Sequence, residues 1–348
     1  MNYTVVEADL EKNRADILAV WERNLNAASE ARYSWMYETQ PGSAASAWLV
    51  KTPVGTVVGS TGLLCRKMKV GDHLLVAGQA IDMVVDKQHR TAGPALMLQR
   101  AVTDSPDRRG ISFLYGFPNN GSEKVLLRAG YQLLGPFERW TKPLRSEYKV
   151  KGFWKGTIPV KVISSLVDRA MKALSGESYI RKSRGTRIEL RDSFDSRFDA
   201  LWAIASKGFH IMGERTSDYL TWRFGRDLHR DYRVFCLSDG KNALLGYIVY
   251  QVSDAQISVA DFCASDLDVL ELLFVEFIRW LRSAQAASVS LRYLGSSKVT
   301  DRLKRIGFYK RPSQEHVLVY LGRHATEKDI GGMFDKDLWY LTTGDKDV

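Results

Sequence analysis

The sequence predicts an α/β protein of two similar modules, each with a mixed, mostly antiparallel sheet flanked by helices. Helical and strand patterns alternate along the chain. Trp35 precedes Gly59 by 24 residues, and Trp222 precedes Gly246 by the same distance. The segment Arg-Ala-Gly-Tyr at 128–131 is matched by Arg-Ile-Gly-Phe at 305–308. Because these matches occur in the same order, an internal repeat explains them together.

The first module opens with a helix predicted over 9–24, in which Ile17, Leu18 and Trp21 share one face. Further strands and helices then alternate up to residue 140. They are strands at 47–51, 57–64, 74–85 (a pair or one long strand) and 111–117, and helices at 95–102 and 122–129.

The second module repeats this order. Its predicted elements are helices at 196–206, 267–284 and 299–306, and strands at 233–237, 244–252, 257–263 and 288–293. The predicted organisation is therefore a first module at 1–140, a linker at 141–186, a second module at 187–322 and a tail at 323–348.

The linker region is strongly basic. Over 141–187 there are twelve lysines and arginines against three acids, in a chain whose formal net charge is +10. Apolar residues at helical spacing between 160 and 174 predict an amphipathic helix there. Two interpretations stay open: a solvated linker whose helix packs on a module, or a surface for an anionic partner. That partner would be a membrane or, less readily, tRNA.

Composition excludes several classes of protein. With 348 residues and 45% hydrophobic content, the chain can form two ordinary cores. The polar, acidic N-terminus is unlike a signal peptide, and three widely spaced cysteines suit neither a disulfide framework nor a zinc site. We therefore expect a cytoplasmic protein without a metal, and the sequence has no nucleotide-binding P-loop or dinucleotide fingerprint.

The sharpest local pattern is Val-Asp-Lys-Gln-His-Arg-Thr-Ala-Gly-Pro-Ala at 85–95. A strand ends there, a turn follows, and a helix begins with small residues. Backbone N–H groups and the helix dipole then favour a pyrophosphate. Gly93 allows close approach of the ligand to the backbone, and Pro94 is acceptable at the first helical position although it removes one donor.

Arg90-x-x-Gly93-x-Ala95 resembles the Q/R-x-x-G-x-G/A loop of the GNAT (GCN5-related N-acetyltransferase) superfamily. The setting agrees with that family, since Tyr-Gly-Phe-Pro-Asn follows at 115–119 and Leu-Arg-Ala-Gly-Tyr at 127–131. The resemblance implies that acetyl-CoA or another acyl-CoA binds as co-substrate. The residues it assigns to this binding are Val84, Val85, Arg90, Thr91, Ala92, Gly93, Pro94, Ala95 and Asn119.

Two features depart from the family. Many GNAT enzymes use a tyrosine as general acid where this chain has Leu126 and, in the second module, Leu303. The second module also lacks the glycine and arginine of the loop, and its segment 260–268 carries three carboxylates that would repel a phosphate. We therefore expect one acyl-CoA site per chain, in the first module.

Asp82 is the candidate general base, because GNAT enzymes often place a carboxylate on the strand that leads into the loop. A purely structural aspartate is the alternative. His89 is interpreted as a surface residue or a phosphate contact. The aromatic residues around Trp35 and Trp222 either pack in the core or stack on sugar rings.

The resemblance implies an N-acyltransferase acting on an amine. Asp82-x-x-Val85, the segment 116–119 and the tail 339–347 resemble tandem GNAT proteins linked to bacterial cell-surface polysaccharide synthesis. An amino sugar is then the expected acceptor, with the protein at the inner face of the membrane. The alternatives are a Fem-type transferase that takes its aminoacyl group from tRNA, and a non-catalytic binding subunit of the same fold.

Overall fold

The computed structural model describes residues 2–25, 29–42, 45–90, 92–146, 160–173, 175–180, 185–225, 231–322 and 332–346. Within these ranges the strands form one continuous sheet of 16 strands with helices packed on it. None of the helices in these ranges combines the length and apolar character needed to cross a bilayer.

The N-terminal half contains seven strands and five helices among the described residues. They are β1 (Thr4–Glu7), α1 (Arg14–Asn24), α2 (Glu30–Tyr33), β2 (Ser46–Lys51), β3 (Val57–Val70), β4 (His73–Val85), α3 (Ala92–Thr103), α4 (Pro106–Arg109), β5 (Phe113–Gly116), α5 (Asn120–Arg128), β6 (Gln132–Pro136) and β7 (Glu138–Pro143). A π-helical turn, Ser34–Glu38, continues α2.

The C-terminal half begins with the predicted amphipathic helix. Its elements are α6 (Val160–Ala173), β8 (Arg187–Arg191), α7 (Ser196–Ala205), β9 (Ile211–Gly213), α8 (Ser217–Phe224), β10 (Arg233–Ser238), β11 (Leu244–Ser253), β12 (Gln256–Ala264), α9 (Leu267–Ser283), β13 (Ser288–Gly295), α10 (Ser297–Arg305), β14 (Tyr309–Arg311), β15 (His316–Leu321) and β16 (Trp339–Thr342).

The mixed α/β class with a mostly antiparallel sheet is confirmed, and the ends of some elements differ from prediction. The region 74–85 is one long strand paired with β3. The first helix begins at Arg14, because the side chain of Asp9 accepts hydrogen bonds from the N–H groups of Glu11 and Lys12 and holds a turn. Helix α3 starts earlier than predicted, at Ala92.

The two sheets expected from the sequence are joined into one. β9 pairs antiparallel with β3 of the N-terminal half and parallel with β16, and β16 pairs antiparallel with β13. The tail predicted at 323–348 therefore contributes a strand to the centre of the molecule. β9 and β16 have only three and four residues, too few for a period to show in the sequence.

The halves also exchange a strand. β7, from the N-terminal half, lies between β13 and β14, while β15 lies between β5 and β6. Trp140 on β7 is buried in the core of the C-terminal half, and Val317 and Val319 on β15 are buried in that of the N-terminal half. The sheet thus crosses the predicted boundaries at residues 140 and 187, and each half is completed by the other.

Candidate functional site

The sheet opens at the parallel strands β4 and β5. Their pairing ends where Gln79 lies opposite Tyr115, although β4 continues to Val85. α3 follows β4, α5 follows β5, and the two helices pack against each other. Because parallel strands end at the same edge, both helix N-termini face the opening between the strands. No described strand is inserted there.

A β-bulge lies on the β4 side of this opening. Ser60 pairs with Val84 and Gly62 pairs with Ile81, so two residues of β4, one of them Asp82, lie opposite a single residue of β3. Asp82 has a left-handed backbone with φ of 48°. A bulge leaves one residue outside the ladder and re-aims its neighbours, so the backbone next to Asp82 is available to a ligand.

Asp82 forms a buried ion pair with Arg32 of α2. Arg32 Nη2 donates to Asp82 Oδ1 over 2.7 Å, and the aspartate side chain is only 5% exposed. Its second oxygen, Oδ2, has no hydrogen-bond partner among the described residues. Burial raises the pKa of Asp82 above its ordinary value, and the nearby Arg32 cation opposes part of that rise. The chain thus holds a carboxylate with one free oxygen beside the bulge.

Val84 and Val85, both expected to contact the acyl-CoA, end β4 and are buried. Arg90 does not extend toward the opening of the sheet. Its Nε donates to the carbonyl of Val85 over 2.9 Å, and its Nη2 donates to Asn24 Oδ1 over 3.0 Å. The Arg90 side chain therefore fixes the turn after β4, and its guanidinium is already engaged.

Asp86 anchors the same turn to α1. Arg23 donates two hydrogen bonds to the Asp86 carboxylate, of 3.1 and 2.9 Å, and Asn24 Nδ2 donates a third, of 2.6 Å. Burial by itself raises the pKa of Asp86, but the hydrogen bonds from Arg23 and Asn24 hold it below its ordinary value. His89 lies on the outer side of the turn, within 2.9 Å of the Tyr3 hydroxyl through Nδ1.

The first turn of α3 follows this anchored segment. Thr91 lies outside the described residues, and α3 begins at Ala92. Gly93 is exposed at the helix start, Pro94 is buried, and Ala95 is half-buried. The first N–H groups of a helix have no partner within the helix, so this turn presents donors where the loop pattern placed a pyrophosphate.

Asn119, which was expected to contact the acyl-CoA, also caps helix α5. Its Oδ1 accepts hydrogen bonds from the N–H groups of Gly121 and Ser122, of 2.9 and 3.0 Å, and so caps α5. The Ser122 hydroxyl in turn accepts from the N–H of Asn119. Asn119 is exposed at the mouth of the opening, where its side-chain NH₂ is the group left to contact a ligand.

A cavity of about 850 Å³ flanks the turn after β4 on the α1 side. Its lining combines cationic and anionic side chains with the backbone of the β2–β3 turn. The charged lining residues are Asp16, Arg23, Lys51, Asp86, Lys87 and Arg90. Arg23 and Asp86 pair with each other, whereas Lys51, Lys87 and Arg90 form no ion pair with a described residue.

The corresponding region of the C-terminal half is closed. The parallel pairing of β12 and β13 ends where Val259 lies opposite Leu291, although β12 continues beyond that point. The pairing of β4 and β5 stops in the same way at Gln79 and Tyr115. Beyond Leu291, β16 pairs with β13, and the Tyr340 hydroxyl donates to the carbonyl of Phe262 on β12 over 2.6 Å. The chain's own C-terminal strand therefore fills the space that lies open between β4 and β5.

A buried group of charges extends from this strand to the first opening. Asp345 accepts from Arg66 Nη1 over 2.6 Å and from Arg215 Nη2 over 2.7 Å. Arg215 also pairs with Asp261 of β12 at 3.1 Å, and Gln79 Nε2 donates to the carbonyl of Asp345 over 3.1 Å. This network links the strands of both halves at the point where β4 and β5 separate.

The matched aromatic residues pack between the halves. Trp35 and Trp222 stack with their ring centroids 5.3 Å apart, and Tyr33 stacks on Tyr37 at 5.0 Å. Tyr33, Trp35 and Tyr37 are all buried, which agrees with core packing rather than an open sugar-binding surface. Leu126, at the position of the absent tyrosine, is buried against α3 and the sheet.

The chain resembles solved structures over 92% of its length at low sequence identity. A conserved protein of unknown function from Enterococcus faecalis V583, described as a probable N-acyltransferase, matches with a TM-score of 0.65, 9% identity and 73% of its own chain covered. A GCN5-related N-acetyltransferase from Anabaena variabilis matches with a TM-score of 0.66, 14% identity and 73% coverage.

The N-myristoyltransferase of Saccharomyces cerevisiae, solved with bound myristoyl-CoA, matches with a TM-score of 0.53, 13% identity and 82% of its chain covered. No sequence profile of a known family and no curated protein matches the chain. These likenesses show that the chain has the GNAT fold, as the loop at 90–95 predicted.

Proposed function

We propose that the chain transfers an acyl group from acyl-CoA to an amine. The observation that carries the proposal is the separation of β4 from β5 beyond Gln79, with the N-terminus of α3 at its edge. The bulge at Asp82 lies along the same strand. A thioester chain entering between the strands would place its phosphates on α3 and its carbonyl beside the bulge.

The reaction needs a nucleophilic amine and a stabilised oxyanion. The amine nitrogen attacks the thioester carbonyl, a C–N bond forms, the C–S bond breaks, and CoA leaves as a thiolate that takes up a proton. A bulge leaves backbone N–H groups unpaired, and such a group can donate to the carbonyl oxygen as negative charge develops. Holding both reactants at the opening supplies the remaining advantage, since positioning replaces a bimolecular encounter.

Asp82 is assigned as the group that accepts the amine proton. Its Oδ2, which is buried and has no hydrogen-bond partner among the described residues, would be the acceptor atom, and burial raises the pKa of Asp82 above its ordinary value. Arg32 holds the carboxylate in place through Oδ1. Asp82 is thereby available as a base while remaining anchored to α2.

Direct binding tests the donor site. Calorimetric titration with acetyl-CoA should give about one site per chain, because one cleft is open and its counterpart is filled by β16. Gly93→Glu should abolish this binding by placing a carboxylate at the start of α3. Gly208→Glu is the matched control, since Gly208 is also exposed and a Cβ there would meet no atom within 4 Å.

Unchanged affinity in a folded Gly93→Glu variant would show that CoA binds elsewhere, and two equal sites would contradict the single-cleft proposal.

For the acceptor, we propose an amino sugar. The test compares the acetylation of amino sugars with the acetylation of free amino acids. If only free amino acids were acetylated, the proposed amino-sugar acceptor would be wrong, whereas the proposed acyl transfer would still hold.

A second candidate is a binding subunit without turnover. It is favoured by Leu126, which is buried and offers no proton to a leaving thiolate. Thiol release can be followed spectroscopically with acetyl-CoA and the same amine panel. Tight CoA binding without release of free thiol from any amine would favour this function over catalysis.

A further inference from the structure

Helix α6 presents apolar side chains to solvent. Leu166 is 61% exposed and Val162 is 50% exposed, one helical turn apart on the same face. Ala170 and Ala173 are exposed in the next turn along this face. An isolated exposed leucine is ordinary, but an aligned apolar stripe along a helix is typical of an interaction surface.

The opposite face fixes the orientation of this helix. Ser164 is buried, and its carbonyl accepts a hydrogen bond from the Ser146 hydroxyl over 3.3 Å. Asp168 Oδ1 accepts from the N–H of Ser146 over 2.6 Å. Because Ser164 and Asp168 tie one face of α6 to the chain after β7, the stripe of Val162 and Leu166 faces outward.

Cations border the apolar stripe and surround a cavity. A cavity of about 580 Å³ lies between α6, the residues after β7 and the end of α9. Arg145, Arg169 and Lys172 line it, and none of the three forms an ion pair with a residue that the structure describes. The cavity also contains Asp168, whose carboxylate caps Ser146, and Arg282, whose charge is paired with Glu177.

Most of the residues that line the cavity belong to the segment of the chain where positive charge is concentrated. Residues 141–187 carry twelve lysines and arginines against three acids. The uncompensated cations attract an anionic surface, while the apolar stripe gains free energy only where water is excluded. A membrane interface provides both conditions, whereas the phosphate backbone of an RNA offers no apolar layer for Leu166.

We propose that α6 docks the chain on an anionic membrane surface. Val162 and Leu166 enter the boundary between headgroups and acyl chains, and the cavity lined by Arg145, Arg169 and Lys172 takes a phosphate-bearing lipid headgroup. This site lies on the linker side of the molecule, and it does not depend on the proposed acyl transfer. If the proposed acyl transfer also holds, this docking would keep the cleft of the N-terminal half near the membrane surface.

Co-sedimentation of the full chain with lipid vesicles tests the proposal. Vesicles containing phosphatidylglycerol should bind the protein at low salt, vesicles of phosphatidylcholine alone should bind it weakly, and added salt should reduce the binding steeply. Arg169→Glu combined with Lys172→Glu should lower the affinity by more than about tenfold, since each cation near an anionic surface contributes strongly. Leu166→Ser should also lower it, by up to about tenfold.

Matched variants separate this surface from general effects of charge and polarity. Ile204→Ser is the control for Leu166, because Ile204 also lies on a helix and is 55% exposed. Lys207→Glu combined with Lys298→Glu is the charge control, since both lysines are exposed and lie outside the cavity. Both controls should bind vesicles as the wild type does.

Three results would overturn the proposal. The first is a wild-type chain that fails to bind phosphatidylglycerol vesicles at low salt. The second is equal loss of binding in the controls, which would mean that net charge alone drives association. The third is tight tRNA binding that is lost in the Arg169→Glu, Lys172→Glu variant while Leu166→Ser has no effect on either partner, which would identify the surface as a nucleic-acid site.

Discussion

The indole N–H of Trp35 donates to the backbone carbonyl of Trp222, and the indole N–H of Trp222 donates to the carbonyl of Trp35, both over 2.9 Å. The two rings stack between the halves of the molecule. These residues occupy matched positions in the proposed internal repeat. Equivalent positions that meet reciprocally are what a two-fold relation between two copies of one module would produce.

Trp35→Phe and Trp222→Phe should each lower the free energy of unfolding by about 1–3 kcal/mol, because each leaves a carbonyl without its donor. The double variant should lose less than the sum, since the two bonds and the stacked rings depend on each other. Urea denaturation measures all three. The control combines Trp35→Phe with Trp280→Phe, because Trp280 lies in a different aromatic cluster, and the two losses of unfolding free energy should add. If this control pair departed from additivity as much as Trp35→Phe with Trp222→Phe does, there would be no specific coupling between Trp35 and Trp222.

Arg32 should set the pH dependence of the proposed reaction. Asp82 accepts a proton only as a carboxylate, so the rate should rise with pH through its pKa, which burial holds above the ordinary value. The Arg32 cation stabilises the carboxylate. Arg32→Gln should therefore raise the pKa of Asp82 further and move the rising limb of the pH–rate profile to higher pH.

Asp82→Asn should remove this limb and lower kcat by roughly 10²–10⁴-fold. Arg14→Gln serves as the control, because Arg14 is another cation of the same half and pairs with Glu30 and Glu38 instead. A profile whose rising limb stays in place in the Arg32→Gln variant would show that Asp82 is not the titrating base.

The strand exchange predicts that neither half folds alone. A fragment of residues 1–146 lacks β15, so β5 and β6 lose their shared partner while β7 loses β13 and β14. Unpaired strand edges with buried apolar side chains favour aggregation over a stable fold. The fragment should show little cooperative unfolding by circular dichroism, and co-expression with residues 147–348 should restore it. A fragment that unfolds cooperatively alone would contradict this dependence.

Much of the fold could be predicted from local patterns. Long elements such as β11 and α9 carry enough residues for a period to show, and the helix-ending glycines Gly130 and Gly307 have the expected positive φ. The pairing of β9 with β16 could not be predicted from the sequence, because short strands that are far apart in the chain show no periodic pattern. The exchange of β7 and β15 was hidden for the same reason.

The site was predicted as a stretch of chain and not as a set of contacts. The loop at 85–95 does lie between a strand and a helix, at the edge of an opening in the sheet. Three partners of the site were missed because they lie far from it in sequence. Asn24 contacts Arg90 in the loop, whereas Arg32 contacts Asp82 and Asp345 contacts Gln79, both on β4 before the loop. Unlike the loop, such partners have no local motif.

Asp345 should be a major source of stability. Burial alone raises the pKa of a carboxyl, but Arg215 and Arg66 hold the pKa of Asp345 below its ordinary value. Asp345→Asn leaves two fully buried guanidinium groups with less compensating charge, so it should lower the free energy of unfolding by about 3–5 kcal/mol at neutral pH. Asp337→Asn is the control, because Asp337 is an exposed acid near the same strand and should change stability little.

The pH dependence of this difference distinguishes charge from packing. A carboxyl whose pKa is lowered in the folded state contributes stability above its unfolded pKa, and that contribution is lost as pH falls through the folded value. The gap in unfolding free energy between wild type and Asp345→Asn should therefore be constant around neutral pH and narrow in acid, below the ordinary aspartate range. Urea denaturation across this range measures it. If the difference in unfolding free energy persisted unchanged into strong acid, the lost stability would come from packing and not from charge. An Asp345→Asn variant as stable as wild type at neutral pH would mean that the buried pairs with Arg66 and Arg215 contribute nothing to holding the two halves together.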